Sequence, residues 1–208
     1  MALRKSIISS LLLCAVPALV VPSVHAQNAL KNDDIAVTGL YEFTQTVSGN
    51  GITDTPSKAG GGEAAFRHSY HWWLGYEGAY TYSRYHESYT GVTGYPEQVF
   101  GVQHNQHEFS GSYYVHGPTV FIQPFALVGF SGLLFAPSLN GGQNVPYQWR
   151  PGVNFGAGAN LPLLTSHFGL RLEYRGVYYR APDFGESYLT TNAMRLTSEP
   201  MAGAYIKF

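Results

Sequence analysis

The sequence predicts an all-β protein: eight antiparallel strands closed into an up-and-down barrel that crosses a membrane. Three observations predict it. Only 12% of the 208 residues are charged, about half the roughly 25% of an ordinary soluble domain, while 15% are aromatic and 24 are glycine. Beyond the extreme N-terminus no apolar run approaches the ~18 residues of a helical membrane span, and the mean hydropathy is −0.10. Apolar and polar residues instead alternate with period two over successive stretches of about 10–13 residues, the pattern of strands with two different faces. The abundance of aromatic and β-branched residues excludes disorder.

Residues 1–26 read as a secretory signal peptide. Arg4 and Lys5 supply the positive charge, Ile7 to Val21 the apolar core, and Val24-His25-Ala26 a small-x-small cleavage site. Pro17 and Pro22 break the apolar run, so it is not a stable helical span. Cys14 lies inside the apolar core and follows the bulky Leu13, which argues against lipidation. The remaining domain, residues 27–208, has no cysteine and is expected to hold together by sheet closure rather than by disulfides. It carries ten Lys and Arg (twelve less Arg4 and Lys5) against thirteen Asp and Glu, a net charge of −3 that argues against a nucleic-acid partner.

The strands are expected at Ile35–Thr46, Glu63–His71, Leu74–Tyr85, Asn105–Val115, Thr119–Ser131, Arg150–Leu161, Phe168–Arg180 and Ala193–Phe208. Their length suits a tilted membrane-crossing strand of about 9–11 residues. The odd-numbered connections are long, polar and glycine-rich: Val47–Gly62, His86–His104, Gly132–Trp149 and Ala181–Asn192. Turn sequences such as Gly49-Asn50-Gly51 punctuate them. The even-numbered connections are short: Trp72-Trp73, His116-Gly117-Pro118 and Pro162–His167. Long loops at one end, tight turns at the other and an even strand count are the pattern of an outer-membrane barrel with four extracellular loops and both termini periplasmic.

Alternation alone does not say which face is inside, since a soluble lipocalin-like barrel has the same period. Two features decide for apolar outside. Only Lys31, Lys58 and Lys207 follow the signal segment, too few lysines for a soluble exterior, and the polar parity is dominated by Gly, Ala and Ser, which fit a narrow axis. The fifth strand, around Val120-Phe121-Ile122-Gln123-Pro124-Phe125, is apolar on both parities, and its facing stays open. The inner parity then holds Glu42, Glu63, Glu77, Glu108 and Glu173 with Arg67, Arg171 and Arg175. Charges in such an interior persist only in paired networks. Counted from the short turns, Arg67, Glu77 and Arg171 fall at one depth, and Glu42, Glu108 and Arg175 at another. These charges read either as a narrow path for ions or small solutes or as a salt-bridged plug; eight strands leave room for side chains and little else, which favours the plug.

Trp72, Trp73 and Phe208 are expected in an aromatic girdle at the short-turn end, and Tyr82, Tyr85 and Tyr178 in one toward the long loops. Arg84 and Arg180 continue the lipid-facing parity beyond the tyrosines, where a guanidinium reaches lipopolysaccharide phosphates.

The C-terminal "GAYIKF", the "LRLEYRGVYYRAPDF" of the seventh strand and the "IQPFALVGF" of the fifth give the chain a resemblance to the small OmpA/OmpX-type outer-membrane β-barrel family. The ending resembles the barrel-assembly signal, with Gly203, then Ile206 and Phe208 on one face; Met201 stands where that pattern usually has a polar residue. The resemblance implies an outer-membrane location, insertion by the barrel-assembly machinery and contact with lipopolysaccharide. It implies no particular activity and no cofactor.

A lipid-modifying enzyme is the rival class, because His86-Glu87-Ser88 offers a His-x-Ser spacing. No Glu accompanies it on a neighbouring lipid-facing parity, and neither a positioned base nor an oxyanion donor is evident, so no catalytic residue is assigned. His68/His71 and His104/His107 stand three apart, which sends two side chains to opposite faces of a strand; no metal site is expected. Gly60-Gly61-Gly62 lacks the lysine and helix of a phosphate-binding loop. The reading is a monomeric, non-enzymatic barrel with a structural or surface-interaction role.

Overall fold

A computed structural model describes residues 32–92, 94, 98–118, 121–139, 141, 144–165 and 167–208. The signal-peptide reading lies outside the described residues. Ten strands form: β1 (Asp33–Thr44), β2 (Val47–Gly49), β3 (Ile52–Pro56), β4 (Ala59–Ser69), β5 (Leu74–Thr90), β6 (Phe100–His116), β7 (Gln123–Pro137), β8 (Gln148–Thr165), β9 (Phe168–Arg180) and β10 (Met194–Lys207). A short 3₁₀ turn, Ser187–Leu189, lies between β9 and β10.

Eight of these strands close a barrel. Each is antiparallel to its neighbours, in the order β5-β4-β1-β10-β9-β8-β7-β6, and β6 pairs back onto β5 from Leu74↔Val115 to Tyr89↔Phe100. The first and last strands meet along Asp34↔Lys207 to Thr44↔Thr197. Closure leaves the barrel no free edge, the condition for crossing a bilayer with strands, because every backbone polar group then finds its partner inside the sheet.

The remaining two strands make a small hairpin in the first long connection. Asn50 and Gly51 have φ of 53° and 79°, the left-handed pair of a two-residue type I′ turn. β3 then pairs with the outer end of β5, Thr53↔Thr90 to Pro56↔Glu87, beyond the point where β4 leaves it at Gly61↔Ser83.

The sheet extends further than hydrophobic alternation indicates. β5 runs five residues past Tyr85, β6 begins five before Asn105, and β7 reaches Pro137 instead of Ser131. The cause is a reversal of phase. Up to Tyr82 the outward residues of β5 are Tyr76, Tyr80 and Tyr82, and Glu77 and Thr81 point in. Above it Arg84, His86 and Ser88 point out while Tyr85 and Tyr89 point in. The outer face has met water there, so the strand is patterned like a soluble one. Tyr85, expected in the outer girdle, is buried for this reason and donates to Gln106 Oε1 at 2.7 Å.

The structure settles the facing of the fifth barrel strand. Phe125, Leu127, Ser131, Leu133 and Phe135 point in, and Val128 and Phe130 point out. Around the barrel the outward surface is an apolar band including Val37, Phe66, Tyr113, Phe155, Leu170, Leu172 and Tyr174, all exposed. Trp72, Trp73, Phe168 and Phe208 border it at the short-turn end, and Phe43, Tyr82, Trp149 and Tyr178 toward the long connections. A continuous belt of this kind far exceeds the patches a soluble monomer exposes and is the surface of a lipid-facing barrel. The largest apolar cluster lies elsewhere, at the loop end: Ile52, Tyr85, Tyr89, Val102, Leu133, Phe135, Val177, Tyr179, Phe184 and Leu189 are among its members.

Candidate functional site in the barrel lumen

The barrel interior is a stack of polar layers, each built by inward residues from several strands. Nearest the short turns, Arg171 of β9 donates through Nη2 to Asp34 of β1 (2.6 Å) and through Nε to Asn160 of β8 (2.8 Å). Its guanidinium lies 5.4 Å from the Tyr205 ring and 5.8 Å from that of Phe125.

Above this layer two arginines and three glutamates form one network. Arg67 of β4 pairs with Glu77 of β5 at 2.5 Å and with Glu173 of β9 at 3.1 Å. Arg175, also on β9, pairs with Glu63 at 2.5 Å, Glu77 at 2.8 Å and Glu173 at 2.7 Å. The flat faces of Arg67 are used as well: Phe125 lies 4.0 Å and Tyr114 5.0 Å from its carbon centre, an arrangement suited to a guanidinium. Room for this packing comes from glycines on β8. A Cβ on Gly158 would sit 2.5 Å from the Phe125 ring and 3.0 Å from the Cα of Glu173.

The third layer is acidic. Glu42 accepts from Gln106 (3.3 Å) and Glu108 from Ser131 (2.7 Å). Glu199 of β10 faces both carboxylates and shares a hydrogen bond with that of Glu42; no basic side chain pairs with it among the described residues.

The fourth layer lies above the tyrosine band. Arg195 pairs with Glu87 and with Asp54 (3.0 Å), and donates to the hydroxyls of Tyr179 (3.2 Å) and Tyr85 (3.3 Å). Burial and the adjacent Glu87 carboxylate push Asp54 well above the usual carboxylate range despite Arg195. Glu87, which meets both terminal nitrogens of Arg195, is the stronger ionic partner of the arginine.

The connection between β9 and β10 covers this layer. The Tyr89 hydroxyl donates to the Pro182 carbonyl (2.9 Å), and the Asp183 and Phe184 amides both donate to Gln148 Oε1 (2.9 and 3.0 Å). Asp183 in turn accepts from Gln148 Nε2 (2.5 Å) and pairs with Arg150 (2.9 Å). The fully buried Phe184 and Leu189 side chains thereby sit over the barrel mouth against Tyr89, Phe135 and Tyr179.

All eight lumen charges named from the sequence point inward and are buried. Equal depth counting holds for Arg67 with Glu77 but not for the others: Arg171 joins Asp34 rather than Glu77, and Arg175 reaches Glu63, Glu77 and Glu173 rather than Glu42 and Glu108. Tilted strands stagger, so equal counts from a turn are not equal heights, and an arginine spans the difference. Sequence reasoning missed Asp34, Asp54, Glu87, Arg195 and Glu199. Glu199 and Arg195 were findable, since they share the inner parity of Thr197 and Met201; Asp54 and Glu87 stood in stretches read as loop.

Outside the lumen, Arg84 and Arg180 are exposed on the outward face, two residues beyond Tyr82 and Tyr178. His86 and Ser88 are half-buried on the same outward face; the His86 ring lies over Gly101, and no hydrogen bond joins it to Ser88 among the described residues. Gly203 lies within β10 and pairs with Thr38, Ile206 pairs with Ile35, and the Phe208 amide donates to the Asp33 carbonyl (2.9 Å). No cluster of metal-ligating residues occurs among the described residues.

No protein-family model matches the sequence, and comparison with curated proteins finds no match. Solved structures do resemble it. The outer membrane protein OprG from Pseudomonas aeruginosa aligns over 85% of this chain and 96% of its own, at 14% identity and a TM-score of 0.61. Neisserial surface protein A aligns over 85% of this chain and 97% of its own, at 16% identity and a TM-score of 0.58. At these identities the likeness is one of fold, and the fold is that of a small eight-stranded outer-membrane β-barrel, the architecture implied by the OmpA/OmpX-type resemblance.

Proposed function

We propose that the protein is a monomeric, non-conducting and non-catalytic outer-membrane barrel, whose role, structural or in surface interaction, is exercised by its extracellular connections. The observation that carries this reading is the state of the lumen arginines. Arg67, Arg171, Arg175 and Arg195 are each at most 1% exposed, and each is held by at least one carboxylate. A continuous water path would have to break these pairs, and separating one buried partner from another costs about 3–5 kcal/mol. The apolar cluster around Phe184 and Leu189 supports closure at the outer end.

Three further roles belong to the same reading. Arg84 and Arg180 contact lipopolysaccharide phosphates, since they stand just above the tyrosine girdle with their guanidinium groups free to reach anionic headgroups. Gly203, Ile206 and Phe208 act as the recognition signal for the barrel-assembly machinery during insertion. His86 and Ser88 serve as surface residues, without a catalytic part.

Refolded protein in planar lipid bilayers tests the reading. The expected record is flat, without a steady conducting level. A stable open level whose size changes in Arg175→Ala would replace it with a narrow pore. Hydrolysis of lipid A that disappears in His86→Ala and Ser88→Ala would replace it with a lipid-modifying enzyme.

A further inference from the structure

The run Gly60-Gly61-Gly62 on β4 divides between two faces of the sheet. Gly61 points inward, where a Cβ would strike the Tyr82 carbonyl oxygen and come within 3.2 Å of Leu40 Cδ1, so packing demands glycine there. Gly60 and Gly62 point outward, as does Gly39, which pairs with Gly62 across β1. Packing demands nothing of these three. A Cβ on Gly60 would meet no atom within 4 Å, and one on Gly39 or Gly62 would meet only a backbone oxygen, at 3.9 and 3.5 Å. None of them has a left-handed φ. No ring covers them either, as Trp149 covers Gly132 and Phe155 covers Gly176. Glycine weakens a strand, and within one it marks places where something from outside approaches the backbone closely.

The three glycines floor a trench at the loop-side edge of the apolar band. Tyr41 of β1 pairs with Gly60 and Tyr82 of β5 with Gly62, so exposed tyrosines stand on both sides of β4. Phe43, 4.9 Å from Tyr41 between ring centres, continues the β1 wall upward. Two cations stand at the upper end. Lys58 precedes the run by two residues, and its Nζ lies 5.5 Å from the centre of the Phe43 ring. The adjacent Ser57 amide donates to the His86 carbonyl (2.8 Å), which sets this segment beside β5, where the exposed Arg84 follows Tyr82 on the same outward face. The acids of these strands do not oppose them: Glu42, Glu63 and Glu87 all point into the lumen and are buried.

We propose that this trench is a lipopolysaccharide site, in which a lipid A phosphate lies between Lys58 and Arg84 and the sugar that carries it, with the start of an acyl chain, rests on the bare backbone at Gly60, Gly62 and Gly39. The inference rests on the lipopolysaccharide contact proposed above for Arg84 and gives it a place and a shape. Two cations with no opposing carboxylate match a phosphate. A bare floor between tyrosine walls matches a flat sugar ring with apolar faces. Inorganic phosphate or phosphatidylglycerol would satisfy the cations and leave the glycines unused, and simple snorkelling of Lys58 and Arg84 needs no open floor at all.

The whole refolded barrel in zwitterionic micelles tests this. Folding is verified by heat-modifiable migration, and the amide signals of Gly39, Gly60 and Gly62 are followed by NMR as bisphosphorylated lipid A is added. These signals should shift saturably. Dephosphorylated lipid A should bind about tenfold more weakly, as should lipid A to Lys58→Gln or Arg84→Gln. Gly60→Val keeps both cations and fills the floor with a residue that suits a strand; read at Gly39 and Gly62, it should also weaken binding about tenfold. Gly111→Val, at an equally open outward glycine on β6, and Arg180→Gln should leave these shifts unchanged. Undiminished binding in folded Gly60→Val, or equal affinity for inorganic phosphate or phosphatidylglycerol at the same signals, would overturn the proposal. Saturable shifts confined to the surroundings of Arg180 would overturn it while leaving a lipopolysaccharide contact standing. No saturable shift anywhere would remove both.

Discussion

Arg67 and Arg175 share one carboxylate: Arg67 holds Glu77 Oε2 at 2.5 Å and Arg175 holds Oε1 at 2.8 Å. Arg67 sits on β4, beside the β5 strand that carries Glu77, whereas Arg175 sits on β9, four strands round the ring from β5, so Glu77 ties opposite sides of the barrel together across the lumen.

Glu77→Gln should accordingly be costly. It leaves two buried guanidinium groups facing a neutral amide, and removal of one partner from a buried pair costs about 3–5 kcal/mol. Urea titration of the refolded barrel should show a clear fall in midpoint. An unchanged midpoint would mean that the network contributes nothing to holding the barrel closed.

Glu199→Gln should behave in the opposite way. Glu199 is fully buried, no arginine or lysine pairs with it, and Glu42 and Glu108 are its neighbours. Replacing it with a neutral isostere takes one acid out of a crowded group of three and supplies an amide N–H that donates to Glu42 without a shared proton. The same titration should give a midpoint that is equal or higher; a loss beyond about 1 kcal/mol would show that Glu199 has a stabilising partner.

Packing is tested at Gly158. A side chain there collides with Phe125, on which Arg67 stacks, and Gly158→Val should cost about 1–3 kcal/mol by overpacking. Gly78 faces outward with open space around its Cα, so Gly78→Ala is the matched control and should leave the midpoint near that of the parent protein.

The loop clamp at Asp183 gives a pH dependence. Burial pushes its carboxyl up, but the bonds from Gln148 and the Gly185 amide, together with Arg150, outweigh that and hold it below the ordinary aspartate value of about 3.9. A depressed pKa in the folded state means the stabilisation is complete at neutral pH and is lost as pH falls through the folded value. Relaxation of the Phe184 and Gly185 amides should show increased motion only at strongly acid pH, and Asp183→Asn should reproduce it at pH 7. Equal rigidity in the variant would remove Asp183 from the clamp.

The strand count, the closure and the lipid-facing parity were legible in the sequence because one physical cause, contact with lipid, acts on every second residue from Val37 to Leu172. The outer third was not. Once a strand leaves the bilayer its wet face turns polar and its inner face apolar, so His86 and Ser88 looked like the start of a loop although the ladder continues to Thr90. The charge network was legible as a set of inward residues but, apart from Arg67 with Glu77 on adjacent strands, not as pairs. Pairing depends on strand stagger and on how far an arginine extends, and neither is written in residue spacing. Arg195 was missed as a partner for Glu87 because β3, which supplies Asp54 beside it, lies in a stretch whose alternation is only five residues long.

The closed lumen is tested most directly by thiol accessibility. The only cysteine in the sequence is Cys14, so single cysteines can be placed in a Cys14→Ala background. Ser83 points into the lumen and is 1% exposed, whereas Thr90 is exposed at the outer end of the same strand. With a small hydrophilic thiol reagent, Ser83→Cys in the folded barrel should stay unlabelled while Thr90→Cys reacts readily. Labelling of both at comparable rates would show a water-filled lumen and contradict the closed barrel.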